Sequence, residues 1–168
     1  MDSMQKTYIE RSENGLDAAN ILKRVSEEPE LKEMFHLLAN TTFYSSAISH
    51  AYYAIFYAGK AILITEGIKT ESPEVHKKTF EEFKKHFVDT GVLDLNLLEI
   101  YKKMIVRADT LLEIFKDEKW KRGNFTYQTI PQANKEPAED SMKNAKTFIS
   151  NIKKVIENIH EKNKTSNA

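Results

Sequence analysis

The stretch SSAISHAYYAIFYAGKAILITEG, residues 45–67, decides the fold, because it is helical in pattern yet apolar or aromatic on nearly every side. A surface helix in water confines its apolar residues to one stripe, so this pattern belongs to a helix in the middle of a bundle. Ala47, Ala51, Ala54, Ala58 and Ala61 recur at alternating four- and three-residue steps. Such a row of methyl groups lets a neighbouring helix approach closely. Tyr44, Ile48, Tyr52, Ile55 and Ile62 form a second row, while Tyr53, Phe56 and Tyr57 point elsewhere. The pattern predicts one central helix with partners on several sides.

Outward from this helix a 3.6-residue period dominates and no stretch alternates as a strand, which predicts an all-α, up-and-down bundle of four to five main helices. A first helix is expected over 5–25, with Ile9, Leu16, Ala19, Ile21 and Leu22 available for packing. Pro29 interrupts, and 31–38 reads as a short helical segment. Gly67 suits a left-handed C-cap. Ser72, Pro73 and Glu74 read as a helix start, opening an element over 73–89 whose inward row is His76, Phe80, Phe83 and Phe87 and which Gly91 closes. A helix over 95–120 carries Leu97, Tyr101, Met104, Ala108, Leu111 and Phe115. Periodicity is lost over 121–135, and Pro137 opens a last helix through Ala145, Ile149, Ile152 and Ile156.

The 168 residues suit a single domain, 1–168, and a chain of this size buries roughly 68–70% of its unfolded surface. Residues 161–168 lack apolar side chains and are expected to fray. With no cysteine there is no thiol nucleophile, thiolate metal site or disulfide, which fits a reducing compartment and makes the cytoplasm the expected location. The N-terminus has no apolar signal core, and no segment reaches the ~18 apolar residues of a membrane span, so no membrane partner is expected. Lys plus Arg and Asp plus Glu number 25 each, and this balance argues against a nonspecific polyanion binder.

The histidines, His36, His50, His76, His86 and His160, are scattered without metal-ligand spacing, so they read as structural or surface groups, and no metal or cofactor is expected. Phosphate loops and nucleophile elbows are missing. What stands out is KWKRGNFTYQTIP, residues 119–131, where cations and rings lie together in an otherwise neutral chain. Lys119, Trp120, Lys121, Arg122, Asn124 and Tyr127 form a candidate set for nucleotide or RNA, since cations hold phosphates and rings stack on bases. His50, on the central helix beside Tyr52 and Tyr53, joins that set. The alternative is that the cations meet the last carbonyls of the preceding helix while Trp120 and Phe125 cover the end of the bundle.

AISHAYYAIFYAGKA, residues 47–61, resembles the alanine-rich helix with a YYAxF core of the HEPN superfamily, with Tyr52, Tyr53, Ala54 and Phe56 matching the core. His76 with the Phe80, Phe83 and Phe87 row, and the AxxFI pattern of residues 145–149, resemble later helices of that family, so the likeness covers 5–159. The resemblance implies a homodimeric helical domain tied to nucleotide and RNA biology. It also implies an Arg followed after four to six residues by His, which in RNA-cleaving members meet across the dimer. The corresponding residues here are Arg122 and Tyr127, so the arginine is kept and the catalytic histidine is replaced by tyrosine. A phenol of pKa about 10 is a poor general base at neutral pH, although Arg122 can still hold a phosphate. Arg107 is the competing arginine, inside a helical pattern with no histidine at suitable spacing. The resemblance further implies a nucleotidyltransferase partner in a toxin–antitoxin-like system, with Tyr127 as a possible nucleotide acceptor. A metal-independent endoribonuclease and a non-catalytic protein-interaction module are the alternatives.

Overall fold

Every seventh residue of the first helix, Gln5, Ser12, Ala19 and Ser26, is small or polar and buried, and this seam faces the alanine row of the central helix. In the computed structural model, which describes residues 2–120 and 134–165, α1 (Ser3–Glu27) runs antiparallel to α3 (Tyr44–Leu63). The Gln5 amide donates to the Ala61 carbonyl at 3.1 Å and the Ser12 hydroxyl to the Ala54 carbonyl at 2.7 Å. A carbonyl already bonded within a helix keeps a second lone pair for such a donor. Close approach is essential at Gly15, where an added Cβ would stand 3.3 Å from both the Ala54 methyl and the His50 carbonyl. The far end is tied by the Phe43 amide, which donates to Ser26 Oγ at 2.7 Å.

Four further helices complete the bundle among the described residues: α2 (Pro29–Met34), α4 (Val75–Phe83), α5 (Leu95–Trp120) and α6 (Lys135–Thr165). The central helix packs against α1, α4, α5 and α6, as its all-round apolar pattern requires. Ala47, Ala51, Ala54, Ala58 and Ala61 are fully buried, and Phe83, Phe87, Tyr101, Phe148 and Ile152 fill the space between α4, α5 and α6. None of the described helices is long and apolar enough to cross a membrane.

Several local expectations are corrected. The chain breaks before Pro29, where α1 ends, but the short helix expected over 31–38 is Pro29–Met34 and opens on the proline itself, since a first-turn proline has no amide bond to lose. Ile21 is 59% exposed, because α1 turns a seam of small residues inward and leaves Ile21 off it. Ser72 does not cap α4. The helix begins at Val75 after Glu74 in the left-handed region (φ 59°), which makes no side-chain cap bond. The connection before it is held beside the helix by the Lys60 ammonium on the Thr70 carbonyl, 2.9 Å, and by the Thr70 and Thr79 hydroxyls, 2.7 Å apart. The expected element over 73–89 divides into α4 and a π-helical turn, Lys84–Val88. The last helix opens at Lys135, with Pro137 in its first turn, and runs to Thr165. Gly67 (φ 70°) and Gly91 (φ 73°) are left-handed, as a C-cap and a turn require.

Ala51→Leu should destabilise the protein by about 1–3 kcal/mol or more through overpacking of a fully buried site, whereas Tyr53→Ser, at an exposed position of the same helix, should cost far less. Urea unfolding of the two variants checks this.

Candidate functional site

Lys119 and Trp120 are the last residues of α5, and Lys121, Arg122, Asn124 and Tyr127 lie outside the described residues. His50 is exposed on α3. The histidine that packs on Tyr52 and Tyr53 is His76, from α4.

The competing arginine is committed elsewhere. The Arg107 guanidinium donates to Ser141 Oγ at 2.7 Å, to the Pro137 carbonyl at 3.1 Å and to the Asp140 carboxylate at 3.2 Å. Lys103 reaches the same carboxylate oxygen at 2.6 Å. Burial pushes Asp140 up, but the hydrogen bonds from Lys103 and Arg107 outweigh it and hold the carboxyl below its ordinary value. With an Arg107 side chain only 16% exposed, this network is a clamp between α5 and the first turns of α6. It fixes the helices that enter and leave the segment 121–133.

A second constellation lies between α3, α4 and α5. The Tyr52 hydroxyl and His76 Nδ1 are 2.7 Å apart. Burial, with the neighbouring Tyr53 and Asp109, drives the Tyr52 phenol well above its ordinary value, so it keeps its proton and donates. Burial and the Lys60 charge lower His76, partly opposed by Asp109, which favours the neutral ring, whose Nδ1 can accept from the Tyr52 hydroxyl. With Tyr52 as the donor, the neutral ring carries its proton on Nε2. Phe56 lies under the imidazole, centroids 4.1 Å apart, and Tyr53 meets it edge-on at 5.7 Å. Lys60 stands 5.8 Å from the Phe56 ring and 4.8 Å from that of Tyr8.

The match to known proteins runs through this region. Residues 28–156 match the model of the HEPN domain. The chain belongs to the HEPN domain family. Two proteins of Methanocaldococcus jannaschii, each named "putative toxin", are 29% identical over 123 residues (73% of this chain and 78% of the relative) and 35% identical over 86 residues (48% and 56%). A "UPF0332 protein" of Thermotoga maritima is 28% identical over 123 residues, 73% of this chain and 80% of that one. No solved structure gives a significant match.

Within this HEPN domain, Tyr101 of α5 lies near Tyr52. It is fully buried, and its hydroxyl has no hydrogen-bond partner among the described residues. Burial and the nearby Tyr52 hydroxyl drive its phenol well above the ordinary value. The Tyr101 ring packs against Gly59, where an added Cβ would come within 3.3 Å. Sequence patterning places His76 on the inward row of its helix, but the register that sets it against Tyr52 comes from packing. The one sequence signal for the site is the coincidence of two hydroxylated rings and an imidazole on otherwise apolar faces.

Two outcomes follow. The His76 pKa is depressed below its unfolded value of 6.5, so the stability this group contributes is complete above that pH and is lost as pH falls through the depressed pKa. The stability advantage of the native protein over His76→Gln should therefore shrink between pH 8 and pH 5, as measured by chemical denaturation. Tyr101→Phe, which removes an unpartnered buried hydroxyl, should be neutral or should stabilise the fold by up to about 1–2 kcal/mol in the same assay.

Proposed function

We propose that this HEPN protein is toxin-like and binds nucleotide or RNA phosphate through residues 119–127, with Arg122 as the phosphate ligand and Tyr127 beside it. In this reading it is a cytoplasmic homodimer whose paired segments form one groove, and it works with a nucleotidyltransferase-type partner. The family match over 28–156, together with relatives named "putative toxin", carries the reading. The arginine arrangement supports it. Arg11 lies over the Tyr57 ring at 5.5 Å, Arg24 pairs with Glu28 at 2.7 Å, and Arg107 is taken up by α6. Arg122 is the remaining arginine of the sequence, and a guanidinium is well matched to a phosphate because its fork donates two parallel hydrogen bonds.

The replacement of the catalytic histidine by Tyr127 weakens proton transfer, since a phenol is protonated at neutral pH whereas an imidazole exchanges its proton there. The native protein should cleave RNA weakly or not at all in EDTA, and Tyr127→His should raise cleavage. Arg122→Ala should lower RNA or nucleotide affinity by about tenfold while the thermal midpoint holds, as expected for loss of a charge-assisted contact. A lower midpoint with unchanged affinity would make Arg122 a helix cap instead. Strong native cleavage that survives Tyr127→Phe would move the site elsewhere. Co-expression with a minimal nucleotidyltransferase encoded beside it, followed by measurement of complex mass, tests the partner and the dimer together.

A further inference from the structure

The pairing of Tyr52 with His76 has no packing rationale of its own. Phenylalanine at 52 and leucine at 76 would fill similar space without placing a hydroxyl and an imidazole among apolar side chains, where an unpaired polar group costs stability. Tyr101 adds to that cost with its unpartnered hydroxyl. A buried phenol bonded to a half-buried imidazole, with a second buried phenol nearby, marks a place where the fold presents a chemical group rather than fills a gap.

The group presented is His76 Nε2–H. Nδ1 is occupied by the Tyr52 hydroxyl at 2.7 Å, which fixes both the tautomer and the ring plane, and Nε2 has no hydrogen-bond partner among the described residues. The ring packs against Phe56, centroids 4.1 Å apart, and against Tyr52, 5.6 Å apart, and these contacts restrain it. Lys60 brings a positive charge to the same Phe56 ring, and its bond to the Thr70 carbonyl uses one of three ammonium protons. Tyr53 is 44% exposed, and its contacts with Phe56 and His76 are edge contacts, at 83° and 71° between planes. Tyr52 adds a tilted contact at 5.4 Å, and the solvent-exposed part of the Tyr53 ring is the surface on which another flat ring can lie.

We propose that Tyr53, His76 and Lys60 form a nucleotide subsite on the α3–α4 face, with the base stacked on Tyr53 and a phosphate oxygen accepting from His76 Nε2–H beside the Lys60 ammonium. Tyr52 is a positioning residue that sets the imidazole. The inference rests on the reading that this HEPN protein meets nucleotides, but on residues separate from Arg122. The charged and titratable groups around the ring are Lys60, Tyr52 and Tyr53 from α3 and Asp109 from α5. A bound phosphate joins Asp109 in favouring the imidazolium, so His76 takes up a proton more readily when the subsite is filled.

The test follows the His76 ring signals by NMR, assigned with His76→Gln, during titration of the full chain with AMP, a 5′-phosphorylated single-stranded RNA, inorganic phosphate and adenosine. AMP should shift the His76 signals saturably and raise the ring's apparent pKa, with inorganic phosphate doing so only at higher concentration. A response to the RNA but not to AMP would assign the subsite to a strand end rather than a free nucleotide. Tyr53→Ala, at an exposed position, should weaken AMP about tenfold, the scale of one stacked base. Lys60→Gln should weaken AMP and leave adenosine unchanged. Tyr52→Phe should weaken AMP and shift the His76 titration even without ligand, which a purely packing role would not do. Signals unmoved by millimolar AMP and RNA, adenosine binding as well as AMP, or Tyr53→Ala binding like the native protein would each overturn the proposal. Arg122→Ala separates the two readings: a His76 response that persists in that variant stands even if Arg122 proves to be a helix cap.

Discussion

The approach of α1 to α3 is the constraint on which the rest of the bundle depends. Three α1 residues, Gln5, Ser12 and Gly15, meet the α3 backbone itself, two by donating to its carbonyls and one by lacking a side chain. A seam with a seven-residue repeat keeps one line of a helix facing its neighbour, because 3.5 residues per turn holds the line in register. Here that line is small and polar rather than leucine-rich, so the helices are joined by backbone contact more than by side-chain interdigitation. The His160 ring extends the same network: its Nε2 donates to Gln5 Oε1 at 2.7 Å, which links α6 to α1 and, through the Gln5 amide, to the Ala61 carbonyl of α3.

Close seating of α1 determines where α3 remains open. With α1 against the alanine row, a neighbouring sector of α3 carries Tyr53, Phe56, Tyr57 and Lys60, of which Tyr53 is exposed and Phe56 buried. Tyr8 of α1 and His76 of α4 border that sector, Tyr8 stacked on Tyr57 at 6.1 Å and His76 tilted against Phe56 at 4.1 Å. The aromatic face is thus a consequence of packing and not an addition to it. The residues that fall between two neighbouring helices must cover both, and rings do this with large area and few torsions to fix.

Much of this was legible in the sequence, and the missing parts share a physical cause. The central helix, its alanine row, the aromatic row of α4 and the span of α5 are written as local periodicities, which sequence reveals directly. The α1 seam is not legible in the sequence, because the apolar residues Ile9, Leu16 and Leu22 pack beside the contact line while Gln5, Ser12 and Ser26 occupy it. Polar residues report burial only once their partners are known, and those partners are backbone carbonyls that leave no mark in the sequence. His76 has the same character. Its place on the inward row is periodic, but its hydrogen bond to Tyr52 joins residues far apart in the chain, and its significance depends on that bond. The segment around Arg122 and Tyr127 was reached by composition and resemblance, and the described helices bear on it only at its two ends.

The Arg107 clamp connects these ends to the rest of the molecule. Lys103 and Arg107 from α5 converge on Asp140 of α6, and the Arg107 guanidinium also caps the Pro137 carbonyl that Ser141 Oγ bonds at 2.7 Å. A guanidinium shared among a carboxylate, a hydroxyl and a carbonyl is satisfied by geometry that only one helix register provides, so the start of α6 is fixed relative to α5. The two helices that flank residues 121–133 in the sequence are therefore joined at Arg107 and the first turns of α6. Loops positioned by a rigid scaffold are where binding residues are best placed, because the scaffold bears the cost of ordering their ends. The same α5 that supplies the clamp also supplies Tyr101 and Asp109 to the His76 cluster, so one rigid helix sets the frame for both candidate sites.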